Sequence, residues 1–249
     1  MLDNPSYIID TFFAIFSMVL IIFMVPGFAM LEAGLVRTKN VSAVLTVNVM
    51  IYAVASMAFL LIGYEYAFGS WDHQEGMSKY AFFLFQMAFV GKVVNIMSGG
   101  VSERSPILPL AVFTVAVGAF LYPTIVNITW SANFLSGTFL DISDMADLAG
   151  STVIHSTGGW SLLAAILIIG PRRGRYRNGK VRVIPASNVP LVTLGAFLLW
   201  IGWFGFNGGS VGSIASKDNA DAVSSYYNEY QHSRSFRGYC RLVINLLPL

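Results

Sequence analysis

Cysteine is almost missing from this chain. The only one is Cys240, so neither a disulfide framework nor a thiolate metal site can form within it. Charge is scarce as well: Asp, Glu, Lys and Arg make up 11% of the 249 residues. A soluble globular domain carries about 25%, so an ordinary water-exposed surface is excluded. The net charge of +2 is too small to argue for a nucleic-acid partner. The first apolar run also lacks a basic leader. It carries Asp3 and Asp10 and is long enough to span a bilayer, so it does not read as a signal peptide.

Apolar residues fill the space that charge leaves, at 55% of the chain with a mean hydropathy of +0.65. Crossing a hydrocarbon core of about 30 Å takes about 20 such residues in a helix. Six runs qualify, at residues 8–30, 42–63, 80–100, 107–127, 148–170 and 189–209. The expected fold is therefore an all-α polytopic membrane protein, with the lipid bilayer as its first partner. Arg37 and Lys39 follow the first run, Arg104 the third, and the cluster Arg172, Arg173, Arg175, Arg177, Lys180 and Arg182 the fifth. Residues 128–147 contain no Lys or Arg. The positive-inside rule then puts the N-terminus outside the cell's inner (plasma) membrane. A basic patch for lipid or nucleic acid is the alternative reading of the cluster. Many glycines lie in the spans, where small residues let helices approach closely. Pro26 predicts a kink in the first span.

Inside a bilayer each polar group is costly, so those present are informative. His155, in the fifth span, can relay a proton or bond a polar solute, or simply bond a nearby carbonyl. Asp147 is eight residues earlier, about 12 Å along a helix, and cannot pair with it directly. It suits a helix N-terminus as a cap, and its charge would also favour cations nearby. Phe89 and Phe206 are candidates for an aromatic constriction, against a default of core or lipid-facing rings. Trp130 can hold a cation on its indole face or anchor the interface. Ser210 offers a hydroxyl at the end of the sixth span. Lys92, one turn from Phe89 on a neighbouring face, is the unexpected charge. It points into the bundle, pairs outside this chain, or stands uncharged; facing a pore, it would repel cations.

Four motifs in order resemble the Amt/Mep/Rh ammonium transporter family. They are Pro26-Gly-Phe-Ala-Met-Leu-Glu-Ala-Gly-Leu-Val-Arg37, Phe85-Gln86 with Phe89 and Ser102-Glu103-Arg104, Asp147-Leu-Ala-Gly-Ser-Thr-Val-Ile-His155, and Gly202-Trp-Phe-Gly-Phe-Asn-Gly-Gly-Ser210. The resemblance implies the first five-helix repeat plus the sixth span of an eleven-span inverted-repeat fold. It implies ammonium/ammonia transport rather than enzymatic activity, with no cofactor and no metal. Trp130, Ser210 and Phe89 would form an outer ammonium site, Phe89 and Phe206 a gate below it, and His155 one of two pore histidines. Asp147 would support recruitment. Trp130 stands further from Asp147 than in bacterial members, so the match places an insertion between them. Homotrimer assembly and a PII-type regulator are further implications. An ammonium-sensing module, a non-functional fragment and an intramembrane hydrolase using Ser210 and His155 are the competing classes.

After Ser225 the sequence turns polar and aromatic, where the family would continue into a seventh span. A synonymous back-translation of residues 226–240, read one nucleotide later, gives Ile-Ile-Met-Asn-Thr-Asn-Ile-Ala-Gly-Ala-Phe-Gly-Ala-Ile-Val. The expectation is a transporter domain over 1–225 and an out-of-frame tail over 226–249.

Overall fold

In the computed structural model, the described residues are 4–71, 75–131, 134–139, 141–142 and 144–232. Cys240 and the tail beyond His232 lie outside them. Six helices are long and apolar enough to cross a membrane: α1 (Pro5–Leu35), α2 (Thr38–Phe68), α3 (Lys79–Val101), α4 (Ile107–Trp130), α5 (Ser151–Ile169) and α6 (Val189–Gly208). The first two extend well beyond the predicted runs. α5 begins three residues later than expected, because Asp147 and Gly150 form its cap. His155 consequently lies near the start of the helix rather than two turns in. A seventh, polar helix, α7 (Lys217–His232), runs unbroken across the expected boundary at Ser225.

The helices are not uniform. α1 breaks at Phe23, where the chain leaves the regular ladder between Ile22 and Met24. Pro26 lacks an N–H, so the carbonyl of Ile22 loses its intrahelical donor, and the bend falls one turn before the proline as expected. Wide π-type turns occur in four of the other spans, within α2 at Phe59–Gly63 and α4 at Val117–Leu121, at the start of α5 at Ser151–Ser156 and at the end of α6 at Phe204–Gly208, while α3 is unbroken. Such turns concentrate at functional positions; here the last two carry His155 and Phe206.

α3 is the most buried span and packs against α1, α2 and α5. Its Phe83, Phe89, Val90, Val93, Val94 and Met97 join Ile51, Phe59 and Tyr64 of α2 in one core. α1 and α6 cross so closely that only glycine fits: a Cβ on Gly195 would stand 2.5 Å from the Gly27 carbonyl oxygen. With lipid tails as apolar as leucine, this close backbone contact substitutes for hydrophobic drive. The outward faces stay apolar, with Leu61, Leu108, Leu167 and Ile168 all largely exposed, as a lipid-facing surface requires.

At one end of the bundle, β1 (Tyr176–Arg177) and β2 (Lys180–Val181) form a small antiparallel hairpin between α5 and α6. Asn178 and Gly179 both have positive φ, the turn that a two-residue hairpin favours. The basic cluster therefore sits on and around a defined hairpin.

Candidate functional site

The opposite end of the bundle holds the predicted site residues together. Asp147 precedes α5, and its carboxylate accepts backbone N–H groups from Gly150 (2.7 Å), Ser151 (2.9 Å), Thr152 (2.7 Å) and Val153 (2.9 Å). These are the donors that a helix start leaves without partners. The arrangement needs Gly150 at φ +90, a left-handed conformation natural to glycine. Burial alone would raise the Asp147 carboxyl, but the four N–H donors outweigh it and hold it below the usual carboxylate range. The cap reading of Asp147 is thus the geometry observed. Its backbone has a second role: the Trp130 indole Nε1 donates to the Asp147 carbonyl at 2.6 Å, which orients the ring at the end of α4.

Trp130, Phe89, Ser210 and Asp147 line one cavity of about 370 Å³, together with Phe68, Phe82, Phe85, Gln86 and Leu148. Ser210 Oγ donates its hydrogen to the Phe206 carbonyl at 2.7 Å, so its lone pairs remain available as acceptors. The cavity floor is aromatic. Phe89 packs edge-on against Phe206 at 4.9 Å and against Phe85 at 4.7 Å, with Trp130 at 6.3 Å. Phe89 and Phe206 are each only 1% exposed, so no open passage runs between them. His155 contacts the second ring of that pair, its own ring 5.5 Å from Phe206, and is not among the residues lining the cavity. Its Nδ1 lies 3.2 Å from the Gly150 carbonyl oxygen, the local contact allowed for it on sequence grounds.

All five residues singled out around this route, with Asp147, are thereby brought together. The cavity also includes Phe85 and Leu148, which the motifs contained without a role, and Phe68 and Phe82, which sequence reasoning had not selected. Among 19 phenylalanines nothing local distinguished those two. The Ser210–His155 pair required by the hydrolase reading is not formed among the described contacts, because each group bonds a backbone carbonyl instead.

Lys92 stands apart from this cavity. It is 1% exposed, on the side of α3 facing α2, with Nζ 5.7 Å from the Tyr52 ring centroid. No hydrogen bond reaches Nζ among the described residues. Further along the same seam lies Glu32 of α1, whose carboxylate accepts from Asn48 (3.1 Å), Ser98 (2.7 Å) and Ser102 (3.0 Å). Asn95 links to this group by donating to Asn48 at 2.9 Å.

The hairpin end is organised by Glu103. Its carboxylate accepts from the Arg37 N–H (3.0 Å), Asn40 (2.6 Å) and Arg172 (3.0 Å), which ties the ends of α1, α3 and α5 together. Burial pushes the Glu103 carboxyl up, yet these donors and the Arg37 charge prevail and leave it below the usual range. Glu103 adopts φ +65, rare for a residue with a side chain.

Comparisons agree with this architecture. The model for the Ammonium Transporter Family matches residues 12–229. The ammonium transporter Amt2 of Archaeoglobus fulgidus is 34% identical over 219 residues, covering 80% of this chain and 47% of the relative. Amt1 of Methanocaldococcus jannaschii is 38% identical over 204 residues, covering 78% and 50%. Among solved structures, one titled sensor Amt protein superposes with a TM-score of 0.75 at 30% identity, covering 88% of this chain and 58% of that one. Candida albicans Mep2 gives a TM-score of 0.71 at 27% identity, covering 84% and 50%. The chain thus spans about half the length of the curated relatives it matches.

Proposed function

The chain belongs to the ammonium transporter family, and we propose that its cavity at Trp130 is the outer cation site of an ammonium/ammonia pathway. The observation that carries this is a chain of ring contacts. The cavity is lined by Trp130, Phe89 and Ser210, Phe89 packs edge to face on Phe206, and Phe206 in turn contacts His155. A cation leaving water must have its lost hydration replaced. The indole and phenyl faces supply attraction of about 0.5–2 kcal/mol each, and the lone pairs of Ser210 accept an N–H. Phe89 and Phe206 then act as the gate.

Below the gate an ion is expensive, whereas neutral ammonia is not. Ammonium can shed a proton before entering; potassium and sodium have none to shed. His155 offers the first polar group past the gate, as a hydrogen-bond partner or proton relay. Asp147 contributes by fixing Trp130 and by its negative charge at the mouth. In this reading the Trp130 end faces outward, with the N-terminus, and the basic hairpin faces the cytoplasm. The proposal extends, for an assembled pathway, to a homotrimer and to PII-type regulation.

The likeness to the sensor Amt structure favours a second reading, ammonium sensing, in which the cavity binds without carrying flux. Radiolabelled methylammonium distinguishes them. Uptake into transporter-deficient cells that falls at least tenfold in Trp130→Leu supports transport. Saturable binding with no uptake supports sensing. Binding that is unchanged in both Trp130→Leu and Ser210→Ala sinks the assignment of the site.

A further inference from the structure

The basic hairpin has two unlike faces. Successive residues of a strand point to opposite sides, and directly paired residues point to the same side. Arg177 pairs with Lys180 and Tyr176 with Val181. The Arg182 N–H donates to the Arg175 carbonyl at 2.7 Å, which continues the ladder by one more pair. Arg175, Arg177, Lys180 and Arg182 therefore share one face, and Tyr176 and Val181, each 59% exposed, share the other. Like charges placed directly opposite destabilise a strand pair. Among the described residues no carboxylate pairs with these four cations. Residues 148–217 contain no Asp or Glu, and Glu103, at the root of the hairpin, is occupied by Arg172, Asn40 and the Arg37 N–H. The orientation of a membrane chain depends on how many cations a loop carries, not on which face of a hairpin holds them. Their segregation calls for an anion. The hairpin is also held at the end of the bundle: Arg104 donates to the Gly170 carbonyl (2.8 Å), Arg37 to the Arg173 carbonyl (2.7 Å) and Arg172 to Glu103. It thus follows closely on Leu167 and Ile168, the exposed lipid-facing end of α5.

We propose that the hairpin is a docking surface for anionic phospholipid headgroups. The Cβ atoms of paired residues stand about 5 Å apart, so Arg177 and Lys180 reach one phosphate together, and Arg175 with Arg182 reaches a second. One Arg175 N–H is spent on the Arg182 carbonyl (3.0 Å), and the rest of its guanidinium fork is left for a ligand. That fork suits phosphate, to which it gives two parallel N–H···O bonds. A bound phosphate turns the opposed like charges from a cost into a chelate. Tyr176 and Val181, on the other face, match the apolar side of the membrane interface, where tyrosine rings sit at headgroup level. This double character favours a lipid over a soluble polyanion, which has no use for the apolar face. The inference concerns the hairpin end alone and stands independently of the cation site at Trp130.

The test uses the full chain in phosphatidylcholine nanodiscs with matched leaflets. A donor dye on Val183→Cys, largely exposed beside the hairpin, reports energy transfer to acyl-labelled tracer lipids, with Cys240→Ser removing the other thiol. The quantity read is the local enrichment of phosphatidylglycerol tracer over phosphatidylcholine tracer. A cation near an anionic surface contributes about fivefold, so at low salt the ratio should reach at least about tenfold. Arg177→Gln with Lys180→Gln should lower it about fivefold or more, and neutralising all four cations should bring it near unity. Lys180→Arg keeps the charge and should stay within about twofold. Salt at about 0.5 M should shrink the ratio severalfold. Size-exclusion profile and helical content check that each variant folds. An equal ratio in the original and the fully neutralised chain overturns the inference. So does displacement of the tracer by micromolar polyglutamate, which marks an acidic protein as the occupant. Displacement by millimolar inorganic phosphate overturns it as well, since that marks a free anion.

Discussion

The two ends of the bundle solve the same problem, a buried carboxylate, in opposite ways. At the Trp130 end, Asp147 is satisfied wholly by neutral groups, four backbone N–H donors and the Ser151 hydroxyl. At the hairpin end, Glu103 is satisfied by one backbone donor, one amide and the Arg172 guanidinium. Neutral donors leave the Asp147 charge uncancelled, so the mouth of the cavity keeps a negative potential. The guanidinium cancels that of Glu103 and ties separate helices together. One end is therefore suited to receive a cation, and the other to hold the helices in place.

The largest expected effect that would break this contrast is Asp147→Ala. Losing the cap and stranding several N–H groups should cost about 3 kcal/mol and detach Trp130. Denaturant unfolding in detergent and methylammonium binding should both register it. Asp147→Asn should cost less, since one oxygen acceptor remains. A stable Asp147→Ala protein with unaltered binding would show that the cap and the ring are independent. At the other end, Glu103→Ala should cost about 2 kcal/mol, because it leaves the Asn40 and Arg37 donors unpaired, while methylammonium binding stays unchanged.

Acid sharpens the comparison in a predictable direction. Both carboxyls are held below their ordinary values in the folded chain. Their stabilisation is therefore fully present above the unfolded value near about pH 4 and is lost as pH falls through the folded value. The advantage of the original chain over Asp147→Asn or Glu103→Gln should be flat from about pH 6 to 8 and vanish only on the acid side. An advantage that declines already near neutrality contradicts the assignment. The smallest effect is Arg172→Ala. The guanidinium is 29% exposed, so the loss should stay below about 1 kcal/mol. It should shrink further at high salt, whereas the Asp147 cap, made with fixed dipoles, should not.

Much of the fold was legible because a bilayer permits so little. All six apolar runs became helices, and Pro26 produced its bend. Their ends were less legible. α2 continues to Phe68 because Tyr64 and Phe68 bury themselves against Trp71, Phe82 and Phe83, contacts invisible in the local run. The start of α5 was displaced by the Asp147–Gly150 cap, which a glycine followed by Ser-Thr could have signalled. Asn178-Gly179 was a readable hairpin signal inside a stretch otherwise noticed only for its charge.

The sequence by itself determined the membrane setting, the number of apolar spans in this chain and the order of the motifs. Those follow from composition, run length and residue order, which need no knowledge of what touches what; Trp130, Phe89, Phe206, His155, Asp147 and Ser210 were candidates named through the family resemblance. Only the tertiary structure decided that the hydroxyl of Ser210 is spent on a carbonyl and its lone pairs are free. It also placed Phe89 and Phe206 edge to face between Trp130 and His155. Above all it placed Lys92 against Tyr52 rather than in the cavity, since the direction of a side chain on a helix acquires meaning only when neighbouring helices occupy its sides.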